Sequence, residues 1–336
     1  MRQSTSPDRT PIPGADERPR RYNQGAFRQP RNRRCDDGSI PPEPLRFGRG
    51  RPGPVTNPDR PDPLGLHRLG HAGSLLEVAA QRWHDGEPES RLDQVVEEIP
   101  VVIVYNRVPH VVMMATPQDL EDFALGFSLT EELIRTPADL EGVAIERFSQ
   151  GIEIHATIAP ACEAVVANRT RRLTGRTGCG ICGSDSIAAV LKTTHPVAAG
   201  TPVPAAVVAR ALEGLTEHQR LNRSAGAVHA AGWATLDGAV TLAREDVGRH
   251  NALDKLIGAV LKRGIEPSSG FVVVTSRASF EMVQKTTVLG APILAAISGP
   301  TGLAVRVAEQ AGLTLVGFAR RGSLTVYTHP ERIGPA

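Results

Sequence analysis

Two cysteines, Cys179 and Cys182, lie three positions apart in the segment Thr177-Gly-Cys-Gly-Ile-Cys-Gly-Ser-Asp185. A pair at this spacing can perform redox chemistry, supply half of a metal site, or carry sulfur as a persulfide. Glycines flank both thiols and favour an accessible loop over a packed strand. This pair is therefore the first candidate for a reactive site.

Several readings of the pair compete. A structural zinc site needs four ligands, and the chain has only two other cysteines, Cys35 and Cys162. A thioredoxin-like site would follow an apolar strand, whereas residues 169–176 are basic and polar. Two buried thiols could also act as small hydrophobic groups, which fits poorly with the glycine-rich surroundings. Sulfur transfer by a thiolate is the interpretation that these observations favour.

The surroundings of the pair also favour the thiolate form. Ser184 or Asp185 is predicted to cap a short helix that runs to Leu191, and Cys182 lies just before it. Four arginines precede the pair, at positions 169, 171, 172 and 176. A helix N-terminus and nearby cations both lower the pKa of a thiol.

A second group of candidate residues lies in Arg244-Glu-Asp-Val-Gly-Arg-His-Asn-Ala-Leu-Asp-Lys255. Asp246 is predicted to cap a helix over 247–262, and Asp246, His250 and Asp254 follow one another at i,i+4 spacing. If they share a helix face, they can form an acid and base pair or a weak metal site. The alternative is a solvated helix start with a cap and ordinary ion pairs.

A third group follows three predicted parallel strands, at the point where each strand ends. These residues are Thr275, Ser276 and Arg277, then Ser298 to Thr301, then Ala319 to Ser323. Ligands of open α/β sheets collect at the carboxyl ends of strands, and hydroxyl, glycine and arginine residues there suit a phosphate-bearing ligand. Turn and cap usage explains Ser298 and Thr301 equally well when each is taken alone.

The pattern of apolar residues predicts the elements that position these groups. It gives two hairpins and two helices before the cysteine pair, then a helix over 204–221, a hairpin turning at Asp237-Gly238, and a βαβαβ run. The predicted ranges are strands 95–104, 108–114, 143–148 and 151–158, helices from 116–119 and over 161–173, strands 226–236 and 240–243, and the alternating elements 247–262, 271–275, 279–289, 292–297, 301–311 and 313–318. A βαβαβ run implies parallel strands with right-handed crossovers.

Composition separates the first 72 residues from the rest. They hold 13 of the 27 prolines, and 14 Arg against 8 Asp and Glu give a charge of +6, so we predict a disordered tail at 1–72. Taking this from the formal +2 leaves about −4 for the remainder, which does not favour nucleic-acid binding. The lack of a long apolar run predicts no membrane span, and we expect a cytoplasmic protein with reduced thiols.

Four motifs together resemble the FdhD family of sulfur carrier proteins, which are required for formate dehydrogenase activity. They are residues 119–126, Thr177-Gly-Cys-Gly-Ile-Cys-Gly183, residues 244–258 and Thr275-Ser-Arg-Ala-Ser-Phe-Glu-Met-Val-Gln284. The resemblance runs from about Arg91 to the C-terminus. It implies an α/β fold with an N-terminal α+β region at 91–175, a mobile CxxC loop and short helix at 176–200, and a cytidine deaminase-like three-layer domain with a mixed, largely parallel sheet at 201–336.

The resemblance also implies a function. In that family the cysteine pair receives sulfur from a cysteine desulfurase and passes it to the molybdenum cofactor, bis-molybdopterin guanine dinucleotide (Mo-bis-MGD), before insertion into formate dehydrogenase. Cys179 matches the persulfide-bearing cysteine and Cys182 the second thiol. The family's cofactor-binding stretch falls on Phe318, Ala319, Arg320, Arg321, Gly322 and Ser323. Family members form homodimers, and no metal bound directly by the protein is expected.

Three rival functions stay open. A zinc deaminase is suggested by His229-Ala-Ala-Gly232, but those enzymes need a glutamate where Ala231 stands and a cysteine pair later in the chain. The second rival is a non-catalytic chaperone that binds the cofactor and delivers it to the apo-enzyme. A role of the arginine-rich tail in binding RNA or an acidic partner is a third, weaker possibility.

Overall fold

The structure is a computed structural model that describes residues 65–173, 195–320 and 322–335. Cys35, Cys179, Cys182 and Arg321 lie outside the described residues, as does the helix predicted over 184–191. The domain boundaries therefore stay predictions. Secondary structure begins earlier than the sequence indicates, because Leu66–His71, within the predicted tail, form a 3-10 helix.

A two-stranded ribbon follows this turn. Strands β1 (Leu75–His84) and β2 (Glu87–Val96) pair along their full length and turn at Asp85 and Gly86, whose φ angles are 51° and 87°. Asp-Gly with positive φ at both residues is the sequence signal of a tight hairpin. This ribbon was not predicted from the sequence, although the Asp85-Gly86 dipeptide is its local signal.

The N-terminal region has a four-stranded sheet in the order β4-β3-β6-β5. Its strands are β3 (Ile99–Tyr105), β4 (Val108–Ala115), β5 (Leu140–Phe148) and β6 (Gly151–Ile158), and its helices are α1 (Leu120–Thr130) and α2 (Pro160–Leu173). The β3–β4 hairpin turns at Asn106 and Arg107, as predicted. Fully buried side chains such as Ile103, Phe123 and Ile154 fill the space between sheet and helices.

The C-terminal region has a six-stranded mixed sheet in the order β13-β12-β11-β10-β8-β9. Its strands are β8 (His229–Thr235), β9 (Val240–Asp246), β10 (Gly270–Val274), β11 (Ile293–Ala296), β12 (Thr314–Arg320) and β13 (Ser323–Val326). Strands β10, β11 and β12 are parallel, as the βαβαβ pattern predicts, but the other three of the five pairings are antiparallel, so the sheet is mixed as expected and not largely parallel. A separate two-stranded parallel pair forms between β7 (Val203–Pro204) and β14 (Ile333–Gly334). Val203 and Ile333 pack against the core on one face of the six-stranded sheet.

Helices cover both faces of the six-stranded sheet, so the predicted α/β class with three layers is confirmed. The helices are α3 (Ala205–His218), α4 (Arg220–Ala225), α5 (Arg249–Lys262), α6 (Phe280–Leu289) and α7 (Gly302–Ala311). Along β10, Phe271 and Val273 pack towards α3, while Val272 and Val274 pack towards α5 and α6. The likeness to cytidine deaminases stays a prediction.

One predicted helix is divided. The sequence pattern indicates a single helix over 204–221, whereas α3 ends at His218 and α4 begins at Arg220. Gln219, with φ −80° and ψ 79°, interrupts the helix between them. The carboxylate of the buried Glu245 accepts hydrogen bonds from the backbone N–H groups of Leu221 and Asn222, at 2.9 and 3.0 Å. This carboxylate stabilises the start of a separate helix, which local periodicity does not reveal.

The two regions are joined where α1 crosses α5. A Cβ atom added to Gly126 would lie 1.8 Å from the carbonyl oxygen of Asp254, and one added to Gly258 would lie 1.9 Å from that of Asp122. Neither glycine can carry a side chain at this distance, so the backbones of the two helices touch. Leu261 on α5 packs against the cores of both regions.

Candidate functional site

The loop after β10 contains three of the predicted ligand-binding residues, and only one of them, Arg277, is exposed to solvent. The Thr275 hydroxyl oxygen accepts a hydrogen bond from Ala230 N at 2.9 Å and so extends the pairing with β8. Ser276 is buried and donates to the Arg277 carbonyl oxygen at 3.1 Å. Arg277 is exposed. The hydrogen bonds of Thr275 and Ser276 therefore fix the shape of the loop, and Arg277 places a positive charge at the surface.

The loop after β11 lies against its neighbours on both sides. Thr301 N donates to the Ala278 carbonyl oxygen at 3.1 Å, and the Thr301 hydroxyl oxygen accepts from Ala304 N at 3.2 Å. Thr301 is thus the N-cap of α7, which confirms the interpretation of this residue as an ordinary helix cap. On the other side, the Ser298 carbonyl oxygen accepts a hydrogen bond from Phe318 N at 3.4 Å.

The end of β12 carries an exposed aromatic ring on an unusual backbone. Phe318 has a φ of 50°, a left-handed conformation that is rare for a bulky residue, and its side chain is 48% exposed. The pairing register with β13 shifts between Gly317 and Arg320, so Phe318 sits in a bulge. Its ring lies on Gly299, where an added Cβ would come within 2.6 Å of the ring. Strain of this kind is found at ligand sites more often than elsewhere.

The turn that follows presents most of the remaining predicted residues to solvent. Ala319 is buried, whereas Arg320, Gly322 and Ser323 are exposed, and Arg320 pairs with Ser323 across the turn. Together with the loops after β10 and β11, these residues form one continuous surface, here called the strand-end surface. The structure brings the described members of the predicted ligand-binding set together there, Arg321 lies outside the described residues, and cofactor binding by the set stays a prediction.

The predicted site of Asp246, His250 and Asp254 is wrong. Asp246 is the last residue of β9, which runs three residues further than expected, and the N-cap of α5 is Gly248. The chain is therefore extended at Asp246, and its side chain does not share a helix face with His250. Its carboxylate instead binds the Lys255 ammonium group at 2.6 Å, and both side chains are fully buried.

Asp254 and His250 contact different partners as well. Asp254 accepts from Lys285 Nζ at 3.0 Å and from the Thr130 hydroxyl at 2.7 Å. Burial alone would lower the pKa of Lys285, but Asp254 and Glu131 raise it above its usual value. His250 Nε2 lies 3.0 Å from a carboxylate oxygen of Glu281 on α6. Lys255 stands among apolar residues in the sequence of α5. This position could have indicated a buried ion pair before the structure was known.

The two flanks of the cysteine segment meet at one carboxylate. Arg169 on α2 lies before the segment and His195 follows it. Arg169 Nη2 is 3.3 Å from Glu132 Oε2, and His195 Nε2 is 3.2 Å from Glu132 Oε1. Glu132 thus joins both flanks, and it neutralises Arg169, one of the four arginines expected to act on the thiols.

A buried histidine packs near the same end of α2. His110 Nδ1 lies 2.7 Å from the Thr170 hydroxyl oxygen, and the His110 ring makes an edge contact with Tyr105. Burial lowers the pKa of His110 to about 4. Cys162, also on α2, is a buried free thiol in the N-terminal core. Sequence reasoning did not single out His110 or Glu132.

Within the described ranges, no three His, Cys, Asp or Glu side chains converge as metal ligands would. The prediction of no protein-bound metal stays a prediction, since the cysteine pair lies outside those ranges. Over the same ranges, no helix is both long and apolar enough to cross a bilayer.

Comparison with known proteins identifies the family. The profile of the FdhD/NarQ family matches residues 96–334. The chain belongs to this family. The matched range contains both cysteines and the whole strand-end surface, so the resemblance drawn from the four motifs is confirmed.

Similar proteins cover most of the chain. A "Sulfur carrier protein FdhD" of Bordetella bronchiseptica is 47% identical over 83% of this chain and 98% of its own. Proteins of the same name from Xanthomonas axonopodis and Cupriavidus necator are 50% and 49% identical, over 78% and 76% of this chain and 92% and 88% of theirs. A crystal structure titled as a putative formate dehydrogenase accessory protein from Desulfotalea psychrophila has the same fold, with a TM-score of 0.64 and 24% identity over 78% of this chain and all of that chain.

Proposed function

We propose that this FdhD/NarQ family member is a cytoplasmic sulfurtransferase for formate dehydrogenase maturation. It accepts sulfur from a cysteine desulfurase on Cys179 and transfers it to Mo-bis-MGD, and it works as a homodimer. The observation that carries the proposal is the glycine-flanked Cys179 and Cys182 pair within the family-matched range. The relatives named as sulfur carriers support it.

The chemistry needs two exchange steps. The Cys179 thiolate attacks the terminal sulfur of the donor persulfide, the donor S–S bond breaks, and the desulfurase thiolate leaves. Cys179 then carries the extra sulfur as a persulfide. When Cys182 attacks the inner sulfur of that persulfide, sulfide leaves for the cofactor and a Cys179–Cys182 disulfide forms. A cellular dithiol reductant must reduce this disulfide before the next cycle.

The strand-end surface is proposed to hold the cofactor. Arg277 and Arg320 are exposed cations suited to its phosphate groups. The exposed Phe318 ring offers an apolar face on which a guanine base can stack. The full proposed set is Thr275, Ser276, Arg277, Ser298 and Phe318 to Ser323. Within it, Thr275 and Ser276 act through the shape of the loop.

Mass spectrometry of the persulfide tests the proposal. After incubation with a cysteine desulfurase and free cysteine, the peptide that contains Cys179 should gain about 32 Da, the mass of one sulfur atom. Cys179→Ala should abolish this gain, whereas the matched variant Cys35→Ala should leave it unchanged. Sulfur on another cysteine, or none at all, would refute the proposed carrier.

A non-catalytic chaperone is the second candidate, because the strand-end surface does not depend on the cysteines. Formate dehydrogenase activity in cells separates the two functions. A chaperone would support full activity with Cys179→Ala, and a sulfurtransferase would support none. A Phe318→Ala variant should lower activity under either function.

A further inference from the structure

The turn after α1 carries a glutamate in a strained backbone conformation. Glu132 has a φ of 55°, in the left-handed region where glycine is the usual residue and where a side chain with a Cβ atom is disfavoured. Residues held in this way destabilise their turn, and they cluster at functional sites. The strain therefore indicates that the Glu132 side chain has a role that glycine could not fill.

Buried contacts on both sides fix this turn. The backbone N–H of Leu133 donates to the Ser128 carbonyl oxygen at 2.9 Å, and the Leu133 side chain is buried in the N-terminal core. On the other side, Glu131 Oε1 lies 3.2 Å from Nζ of the buried Lys285. The Glu132 carboxylate therefore extends from a backbone that cannot shift without breaking buried interactions.

The two flanks of the cysteine segment are anchored in different regions of the protein. Before the segment, the Thr170 hydroxyl oxygen lies 2.7 Å from Nδ1 of the buried His110, which belongs to the N-terminal region. After the segment, Val197 N donates to the Ala311 carbonyl oxygen at 2.9 Å, at the end of α7 in the C-terminal region. Each flank is thus held by its own region, and a link between the flanks must come from a third residue.

Glu132 supplies that link. Its two carboxylate oxygens lie 3.3 Å from Arg169 Nη2 and 3.2 Å from His195 Nε2, and the chain between these two residues contains Cys179 and Cys182. The three side chains are 32–55% exposed, so the ion pairs add little to the stability of the whole protein. Their main effect is to fix the separation of the two flanks, which restricts the conformations open to the chain between them.

We propose that Glu132 is a positioning residue for the loading of sulfur onto Cys179. By holding Arg169 and His195 in fixed places, it sets the separation of the two flanks, so that the donor persulfide meets the thiol in a reproducible geometry. The Glu132 side chain itself makes no contact with the sulfur that is transferred. The inference deepens the proposed function and rests on it for the reaction that the contacts accelerate.

A Glu132→Gly variant separates positioning from folding. Glycine relieves the strained φ, so the melting temperature should stay unchanged or rise, whereas a structural role predicts a fall. With the full-length protein, a cysteine desulfurase and free cysteine, the rate at which the Cys179 peptide gains sulfur should fall about fivefold, the effect of two partly exposed ion pairs. The matched control is Asp85→Gly, which replaces another acidic residue of positive φ, 51°, in the β1–β2 turn. It should leave the loading rate unchanged.

Arg169→Gln and His195→Gln test whether the effect depends on the two contacts. Each should slow loading about two- to threefold in the wild-type background and have no further effect in the Glu132→Gly background. Rate losses that multiply would show that these residues act independently of Glu132 and would overturn the assignment. An unchanged loading rate or a clearly lowered melting temperature in Glu132→Gly would overturn it as well.

Hydrogen exchange tests the link between the flanks without any sulfur donor. Peptides that cover residues 164–173 and 195–200 should exchange about fivefold faster in Glu132→Gly than in the wild type, and at the wild-type rate in Asp85→Gly. Unchanged exchange beside normal loading of the wild type would refute the inference alone. Faster exchange beside a wild type that gains no sulfur would refute both the sulfurtransferase and the positioning role, so the two failures are distinguishable.

Discussion

Lys255 Nζ lies 2.6 Å from Asp246 Oδ2, and neither side chain has any exposed surface. The Lys255 ammonium group also donates to the Thr116 carbonyl oxygen at 2.9 Å, and Asp246 accepts from Thr116 N at 3.0 Å. This ion pair on β9 and α5 therefore binds the segment that leads into α1. It connects the N-terminal region to the C-terminal sheet through fully buried charges.

Removal of one partner should be costly. Lys255→Met leaves the Asp246 carboxylate buried without a cation, so we expect a loss of about 3–5 kcal/mol in the free energy of unfolding. Lys262→Met is the matched control on the same helix, because the Lys262 side chain is 43% exposed and pairs with Glu121 and Asp122. It should cost at most about 1 kcal/mol. Chemical denaturation measures both, and equal losses would contradict a dominant role for the buried pair.

The crossing of α1 and α5 gives a second prediction. Gly126→Ala places a methyl group against the Asp254 carbonyl, so it should separate the helices and cost about 3 kcal/mol or more. Gly214→Ala on α3 is the control, since its Cβ would make only an ordinary 3.6 Å contact with Val240. That change should stabilise the protein by up to about 1 kcal/mol, through higher helix propensity. Thermal unfolding of the two variants should therefore shift in opposite directions.

The buried His110 predicts a dependence of stability on pH. Its pKa is lowered to about 4 in the folded state, whereas an unfolded histidine titrates near 6.5. Between these values the unfolded chain binds the proton and the folded chain does not, so stability falls as the pH falls from about 6.5 to 4. The loss should approach about 3 kcal/mol.

A His110→Gln variant should lack the loss of stability that protonation of His110 causes at low pH. Urea unfolding measured from pH 8 to 4 should show a constant difference between wild type and variant above pH 7, and a narrowing or reversed difference below pH 6. Parallel curves over the whole range would show that His110 titrates normally in the folded protein.

The boundary of the dispensable tail is also testable. Gly70 packs against the turn between β5 and β6, where an added Cβ would lie 2.0 Å from the Phe148 carbonyl oxygen, and Arg147 donates to the Gly70 carbonyl at 2.9 Å. Deletion of residues 1–64 should therefore leave sulfur transfer and stability intact. Deletion of 1–72 should lower the melting temperature, because it removes these contacts. Loss of transfer on the shorter deletion would assign a function to the tail.

Local sequence signals predicted the regular elements that position the site. Alternating β-branched strands, the Asn106-Arg107 turn and the βαβαβ pattern each depend on neighbouring residues, so one sequence suffices to read them. The three strand ends were also predictable, because parallel strands bring their carboxyl ends to one edge. The unexpected conformation of Phe318 was not, since it depends on the bulge and on contact with Gly299.

The roles of charged side chains were harder to predict. Spacing along the chain suggested that Asp246, His250 and Asp254 act together, but their partners are Lys255, Glu281 and Lys285, which tertiary packing supplies. Glu132 likewise contacts Arg169 and His195, distant residues on either side of the cysteine segment. Such pairings depend on how α1, α5 and α6 pack, which no local pattern encodes.

The close crossing of α1 and α5 has a practical consequence for protein engineering. Among the described strands neither sheet exchanges a strand with the other, and the described residues before 174 and after 194 meet through the helix backbones, the hydrogen bonds of Lys255 and Asp246 to Thr116, and the Arg244–Asp122 ion pair. Because these contacts lie on complementary pieces, we expect two separately expressed fragments divided between positions 173 and 195 to reassemble. A split form of the protein would allow the cysteine segment to be made synthetically and ligated to one fragment, with a single labelled sulfur at a chosen position.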